Sequence, residues 1–320
     1  MIQKIQRNVA IAICAFGLFS CTENSAPLKY SQEAVKVPTL FAEGIISSKM
    51  HNEFNLEFSP NGKTVYFTRR VDGEPQKILV STFENNTWSA PKLTSFSISR
   101  DEMPSITPNG KQLYFASTRR IPTEESKGNF DMNIWVTEKE NDSWSEAKPV
   151  DSVINKVQIE GEKWPSSNES SLYTQDGKTF YYSTMMRNSK GIGIYTTTLE
   201  NGKFSTPKRI EGLLEDEKYW ISGPTLSPDG NYLLFNAYGV KGGVGGEDLY
   251  ASKKTENGWS KAVSLGNIIN TKHEEGAAKF SRDGHCFFFT RDDKISAEED
   301  GIWSIYYIET SYLKLESLFN

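Results

Sequence analysis

One four-residue turn recurs five times along the chain, and it limits what the chain can fold into. The copies are Ser59-Pro60-Asn61-Gly62, Thr107-Pro108-Asn109-Gly110, Thr174-Gln175-Asp176-Gly177, Ser227-Pro228-Asp229-Gly230 and Ser281-Arg282-Asp283-Gly284. A hydroxyl residue first, Asn or Asp third and Gly fourth is the chemistry of a type I turn between antiparallel strands. An aromatic follows each turn at one fixed distance (Phe67, Phe115, Tyr182, Phe235, Phe289), inside short runs of strand formers such as Val65-Tyr66-Phe67. A third strand carries Leu79, Trp135, Tyr195, Tyr250 and Trp303, and nine residues beyond each lies another aromatic: Trp88, Trp144, Phe204, Trp259 and Tyr312.

Each unit therefore predicts four antiparallel strands. A sheet of that size cannot bury a face alone, but several packed radially bury both faces and leave only short edges. The reading is an all-β propeller with five blades by repeat count. A sixth blade would have to be a degenerate copy in the long interval around 120–165. The aromatic columns are expected to be sheet-to-sheet core. Pro38–Ile46 resembles the outer-strand phrases Pro91–Ile98 and Val263–Ile269, yet it precedes the first repeat. It is expected to close the ring as outer strand of the last blade, whose own candidate, Tyr312–Phe319, is irregular.

The N-terminus reads as an address. Lys4 and Arg7 precede an apolar run, Val9–Phe19, that is shorter than the roughly 20 residues a membrane span needs. The run ends in Leu18-Phe19-Ser20-Cys21, which resembles a bacterial lipoprotein box, with Cys21 the residue to be acylated. Ordinary secretory cleavage nearby is the plainer alternative. The expected division is a signal peptide at 1–20, a polar tether at 21–36 and a propeller at 37–320, exported and lipid-anchored to the envelope, by expectation at the outer membrane. The net charge is −5, and it becomes more negative once Lys4 and Arg7 leave. That is the wrong sign for nucleic acid. Cys14 leaves with the signal and Cys21 takes lipid, so Cys286 alone supports neither a disulfide framework nor a cysteine-based metal cluster.

The Ser-Pro-Asn/Asp-Gly turns, Trp88-Ser89-Ala90-Pro91, Gly246-Glu247-Asp248-Leu249-Tyr250 and Leu265–Thr271 together resemble the TolB-type, WD-like β-propeller repeat family, and lipoproteins made of those repeats alone. The resemblance covers residues 38 to about 310. It implies the fold and leaves function open, because this architecture hosts binding modules, scaffolds and enzymes. Members of the family are often six-bladed.

Two columns just before each innermost strand are the candidates for chemistry. One holds His51 and His273, the other Glu53, Asp101 and Glu275. Imidazole and carboxylate side by side suit a divalent metal, and clustered carboxylates suit acid–base work. The plainer reading is that these groups bond neighbouring backbones where blades meet. Only two His and no Cys speak against a tight transition-metal site, while a carboxylate-bound Ca²⁺ stays open. Trp164, Tyr219 and Trp220 lie on the same approaches, where they would either stack on a ligand or plug the channel.

Gly242–Gly246 lacks the Lys-Ser/Thr of a phosphate loop and reads as a flexible hairpin loop. Arg69-Arg70 and Arg119-Arg120 read as solvated strand ends, and the loop from Arg119 to Phe130 as a surface open to a partner. The expectation is a non-catalytic envelope module binding a protein or a glycan. The alternative is a propeller glycosidase or polysaccharide lyase using the carboxylate/His ring. A plugged channel with an apolar rim favours a protein partner.

Overall fold

A computed structural model describes residues 28–121, 132–157, 170, 172–186, 189, 191–216, 218–293 and 301–320. Five sheets form a five-bladed propeller of four-stranded antiparallel blades. The inner strands are Asn52–Phe58, Asp101–Ile106, Tyr173–Thr174, Trp220–Leu226 and Glu275–Phe280. In blades one to four the outer strand is broken into two short pieces that both pair with the third strand, as Thr87–Trp88 and Lys92–Leu93 pair with Lys77–Glu84 in blade one.

The aromatic-Ser phrases sit at that break. The Ser89 hydroxyl accepts from the Thr82 N–H at 3.0 Å, and Ser145 and Ser205 do the same for Glu138 and Thr198. A third-strand donor that the broken strand would orphan is thus satisfied.

The turns have the expected chemistry. Ser59 donates its hydroxyl to Asn61 Oδ1 at 2.7 Å, the Gly62 N–H donates to the Ser59 carbonyl at 2.9 Å, and Gly62 sits at φ +70°. The Pro and Gly of these turns also join blades. A Cβ on Gly110 would stand 3.0 Å from Pro60 of the preceding blade, and one on Gly284 would stand 2.7 Å from Pro228.

Ring closure is as expected. Thr39 and Leu40 pair with Tyr307 and Tyr306, making the outer strand of blade five. Tyr312 lies instead in a short helix, Thr310–Leu313, followed by a 3-10 turn, Leu315–Phe319. Five apolar clusters fill the seams between blades, and Phe67, Phe115, Tyr182, Phe235 and Phe289 are all fully buried in them.

The segment expected to be a tether differs. Leu28, Tyr30 and Val35 pack against the cluster between blades five and one. The Tyr30 ring lies 5.4 Å from Phe58, 5.6 Å from Phe83 and Trp88, 5.7 Å from Phe41 and 6.1 Å from Phe288. Its hydroxyl donates to the Gly62 carbonyl at 3.0 Å, and the Leu28 N–H donates to Asp283 Oδ2 at 2.9 Å. Blade five has Arg282 where the turns of blades one, two and four have Pro, and Tyr30 and Leu28 fill the space above Gly62. Residues 28–36 are a strap across the closing seam.

Candidate functional site

Strands that alternate in direction give the propeller two ends. Asn52 pairs with Arg70, Arg69 with Lys77, and Trp220 with Tyr238, which pairs with Glu247. These residues mark one end, and the five Gly turns mark the other.

The carboxylate column lies at the first end but inside the seams. Glu53, Asp101 and Glu275 are fully buried. Each meets an arginine from the end of the second strand of its own blade: Arg69 at 2.9 Å, Arg119 at 2.9 Å and Arg291 at 2.7 Å. The guanidinium of Arg291 also donates to the Ile269 carbonyl at 2.8 Å, and those of Arg69 and Arg119 reach carbonyls at Ile45, Ile46 and Phe96. All three stack over aromatic rings, Arg69 on Phe67, Arg119 on Phe115 and Trp135, and Arg291 on Phe289 and Tyr306, at 5.0–5.5 Å. The column bonds loops to blades. Arg69 and Arg119, read from sequence as solvated ends, are side chains of these seams.

Burial pushes the Glu53 and Glu275 carboxyls up from the ordinary range, while hydroxyls of Ser48 and Thr271 and the two arginines pull them back. His51 and His273 cap the loops ahead of their inner strands: their backbone N–H groups donate to Ser48 and Thr271 hydroxyls, and His273 Nδ1 lies 3.6 Å from Asp292. Among the described residues no group of three or more His, Cys, Asp or Glu could hold a metal ion. Tyr219 is half-buried and its hydroxyl accepts from the Lys241 N–H at 3.3 Å, while Trp220 is 44% exposed. Trp164, Cys21 and residues 122–130 lie outside the described residues.

The channel itself is lined by a column the sequence reading missed. Asn55, Met103, Ser170, Gly223 and Ala277 each stand six residues before the Asn or Asp of their turn, and all five line a central cavity of about 330 Å³. Four of them, Asn55, Met103, Gly223 and Ala277, have φ between +53° and +62°, at bulges that break the inner-strand register. A Cβ on Gly223 would overlap the Asn236 side-chain oxygen. Left-handed backbone at Met103 and Ala277 costs about 1–2 kcal/mol each, and strain of this kind gathers at functional sites. The one signal in sequence was position, since Asn, Met, Ser, Gly and Ala share no chemistry.

Phe54, Arg70, Gln76, Glu102, Glu247 and Trp303 add to the walls, so the cavity is a funnel open at the first end. A second cavity of about 250 Å³ lies under the turns, lined by Pro60, Pro108, Pro228 and Gln175. Tyr173 and Lys279 line both, so they stand at the waist. Lys279 Nζ lies 3.0 Å from Glu57 and 4.4 Å above the Tyr173 ring, and Arg282 lies 2.9 Å from the same Glu57. The two cavities meet at this ion-paired group.

Around the funnel mouth, Met50, Ile98, Trp220, Tyr238 and Val244 are exposed apolar side chains. Val244 belongs to the Gly242–Gly246 hairpin loop. Asp248 accepts from the Val244 and Gly245 N–H groups at 2.7 and 3.2 Å, and Gly245 abuts the His273 carbonyl where no Cβ would fit.

No family model matches the chain, and no curated protein matches it. Solved structures do. A glycoside hydrolase aligns with a TM-score of 0.56 at 10% identity, over 86% of this chain and 91% of that one. TolB from Agrobacterium tumefaciens aligns with a TM-score of 0.50 at 15% identity, over 82% and 78%. A protein of unknown function from Dyadobacter fermentans aligns with a TM-score of 0.50 at 12% identity, over 88% and 85%. At these identities the likeness is one of fold, and this chain shares its propeller architecture with a TolB and a glycoside hydrolase alike.

Proposed function

We propose that this chain is a non-catalytic binding module of the cell envelope that docks a protein on the funnel end of its propeller. The observation that carries this is the rim: Met50, Ile98, Trp220, Tyr238 and Val244 are all exposed at that one end. Exposed apolar side chains gathered around a polar pit are what a protein interface is built from. Glycoside hydrolysis of the usual kind needs a pair of carboxylates open to a bound sugar. Glu53, Asp101 and Glu275 are tied to arginines inside the seams; of the two carboxylates in the funnel, Glu102 lies 2.9 Å from Arg100 and Glu247 accepts from the Asn236 side chain.

The envelope address rests on the N-terminal signal and on acylation at Cys21. Among the described residues no helix is long and apolar enough to cross a membrane. Leu28 is held at the turn end by Asp283, so the chain enters the propeller at the end away from the funnel.

The test is capture from envelope extracts by purified protein, run beside a glycan array and a reducing-sugar assay. Ile98→Asp and Trp220→Ala are expected to weaken capture of one partner by about tenfold or more, the size expected of interface anchors. Lys111→Ala, at the turn end, is expected to leave it unchanged. Glycan binding indifferent to the rim variants, or sugar release, would contradict the reading.

A further inference from the structure

The chain is acidic overall, with a net charge of −5, yet its channel is not. Arg70, Arg100 and Lys279 line the funnel against Glu102 and Glu247. Arg100 is paired with Glu102, and among the described residues Arg70 has no ion pair. At the waist, Lys279 and Arg282 share the single carboxylate of Glu57. Arg282 is held by further bonds, donating also to the Phe58 and Ile106 carbonyls at 3.1 and 2.7 Å. The Lys279 ammonium has three donors, of which Glu57 takes one, and the Tyr173 ring lies beside it. A second polar group waits in the same cavity. Ser105 lines the funnel, is 4% exposed, and its hydroxyl has no hydrogen-bond partner. A buried hydroxyl left unpaired is destabilising, and a ligand acceptor would satisfy it.

We propose that the funnel is a receptor for one carboxylate carried by the docked protein, which reaches Lys279 and Ser105 at the floor and passes Arg70 on the wall. An ammonium in a confined, poorly hydrated site attracts an anion far more strongly than one in bulk water, and a local excess of cation on an acidic protein selects against wrong partners. An acidic side chain and a chain-terminal carboxylate offer the same group. The inference rests on the rim as a protein-docking surface, but it can fail separately from it.

The experiment titrates the full mature chain with sodium acetate against sodium chloride at equal ionic strength. It then uses two short peptides, one with an internal Glu and an amidated end, the other without acidic side chains but with a free carboxyl end. Amide NMR signals of Met103 and Ala277 report binding. Saturable shifts with acetate are expected, together with tighter binding of one of the two peptides, which identifies the source of the carboxylate. Lys279→Met is expected to weaken both by about tenfold or more. It leaves Glu57 paired with Arg282, and Ser105→Ala, which alters no charge, is expected to weaken them about threefold. Ile98→Asp is expected to leave acetate binding unchanged. Shifts that do not saturate, or that are equal in Lys279→Met, would overturn the proposal even if the rim variants abolish partner capture. An oligouronate that binds where neither peptide does would overturn it in favour of an acidic glycan.

Discussion

A chain that begins at Ser47 is expected not to form a stable propeller. It lacks the Thr39–Leu40 strand, which leaves the Ser304–Glu309 strand as a bare edge. It also loses Phe41 and Ile46, both fully buried, and the Tyr30 ring packed among five aromatic neighbours. Removing a buried Phe typically costs about 3–5 kcal/mol and a buried Ile about 2–5. The combined loss, about 5–10 kcal/mol, matches the whole stability of an ordinary domain. Tyr30→Ala alone is expected to cost about 2–4 kcal/mol, since that ring is half-buried. Chemical denaturation of the three chains checks this. A truncated chain with the cooperative midpoint of the full mature chain would show that neither strap nor closing strand matters.

Arg291→Met is expected to destabilise the propeller by about 3–5 kcal/mol, because it leaves the Glu275 carboxylate buried without its cation. The guanidinium lies 2.7 Å from Glu275 and between the rings of Phe289 and Tyr306. Methionine keeps much of that packing, so the loss isolates the charge. The pH dependence has a definite sign. Burial already pushes the Glu275 carboxyl up, and removing Arg291 pushes it further. A carboxyl raised in the folded state favours folding when protonated, and that advantage is lost as pH rises through its raised value. The deficit is therefore expected to be largest at neutral pH and to shrink in acid. Pairing the change with Glu275→Gln is expected to return part of the stability at neutral pH. A deficit of equal size at every pH would mean that packing alone is lost.

What was legible from sequence follows from how local each feature is. The turn needs only four consecutive residues, so Ser59–Gly62 and its copies counted the blades, and the orphan strand before them announced the closure. The strap was not legible because Tyr30 is one aromatic in a polar stretch, and the cup that holds it is built by Phe58, Phe83 and Trp88 of blade one with Phe288 of blade five. The acid column was found by register, but its role depends on partners across the sheet. Arg69 and Arg70 show why the pair misled. Neighbours on a strand face opposite sides, so Arg69 enters the seam to meet Glu53 while Arg70 lines the funnel. The lining column was missed because a bulge asks only for a backbone near φ +55°, which Asn55, Met103 and Ala277 supply without any common side-chain chemistry.

Photo-crosslinking in cells that produce the protein tests most directly whether the funnel end is the docking surface. A photoreactive residue is placed at Met50 or Ile98 on the funnel end, or at Lys63 or Lys111 on the turn end. The expected result is one discrete adduct from the first two positions, identified by mass spectrometry and reproduced with the purified partner, and none from the last two. Adducts from Lys63 and Lys111 with none from Met50 and Ile98 would contradict the assignment of the funnel end.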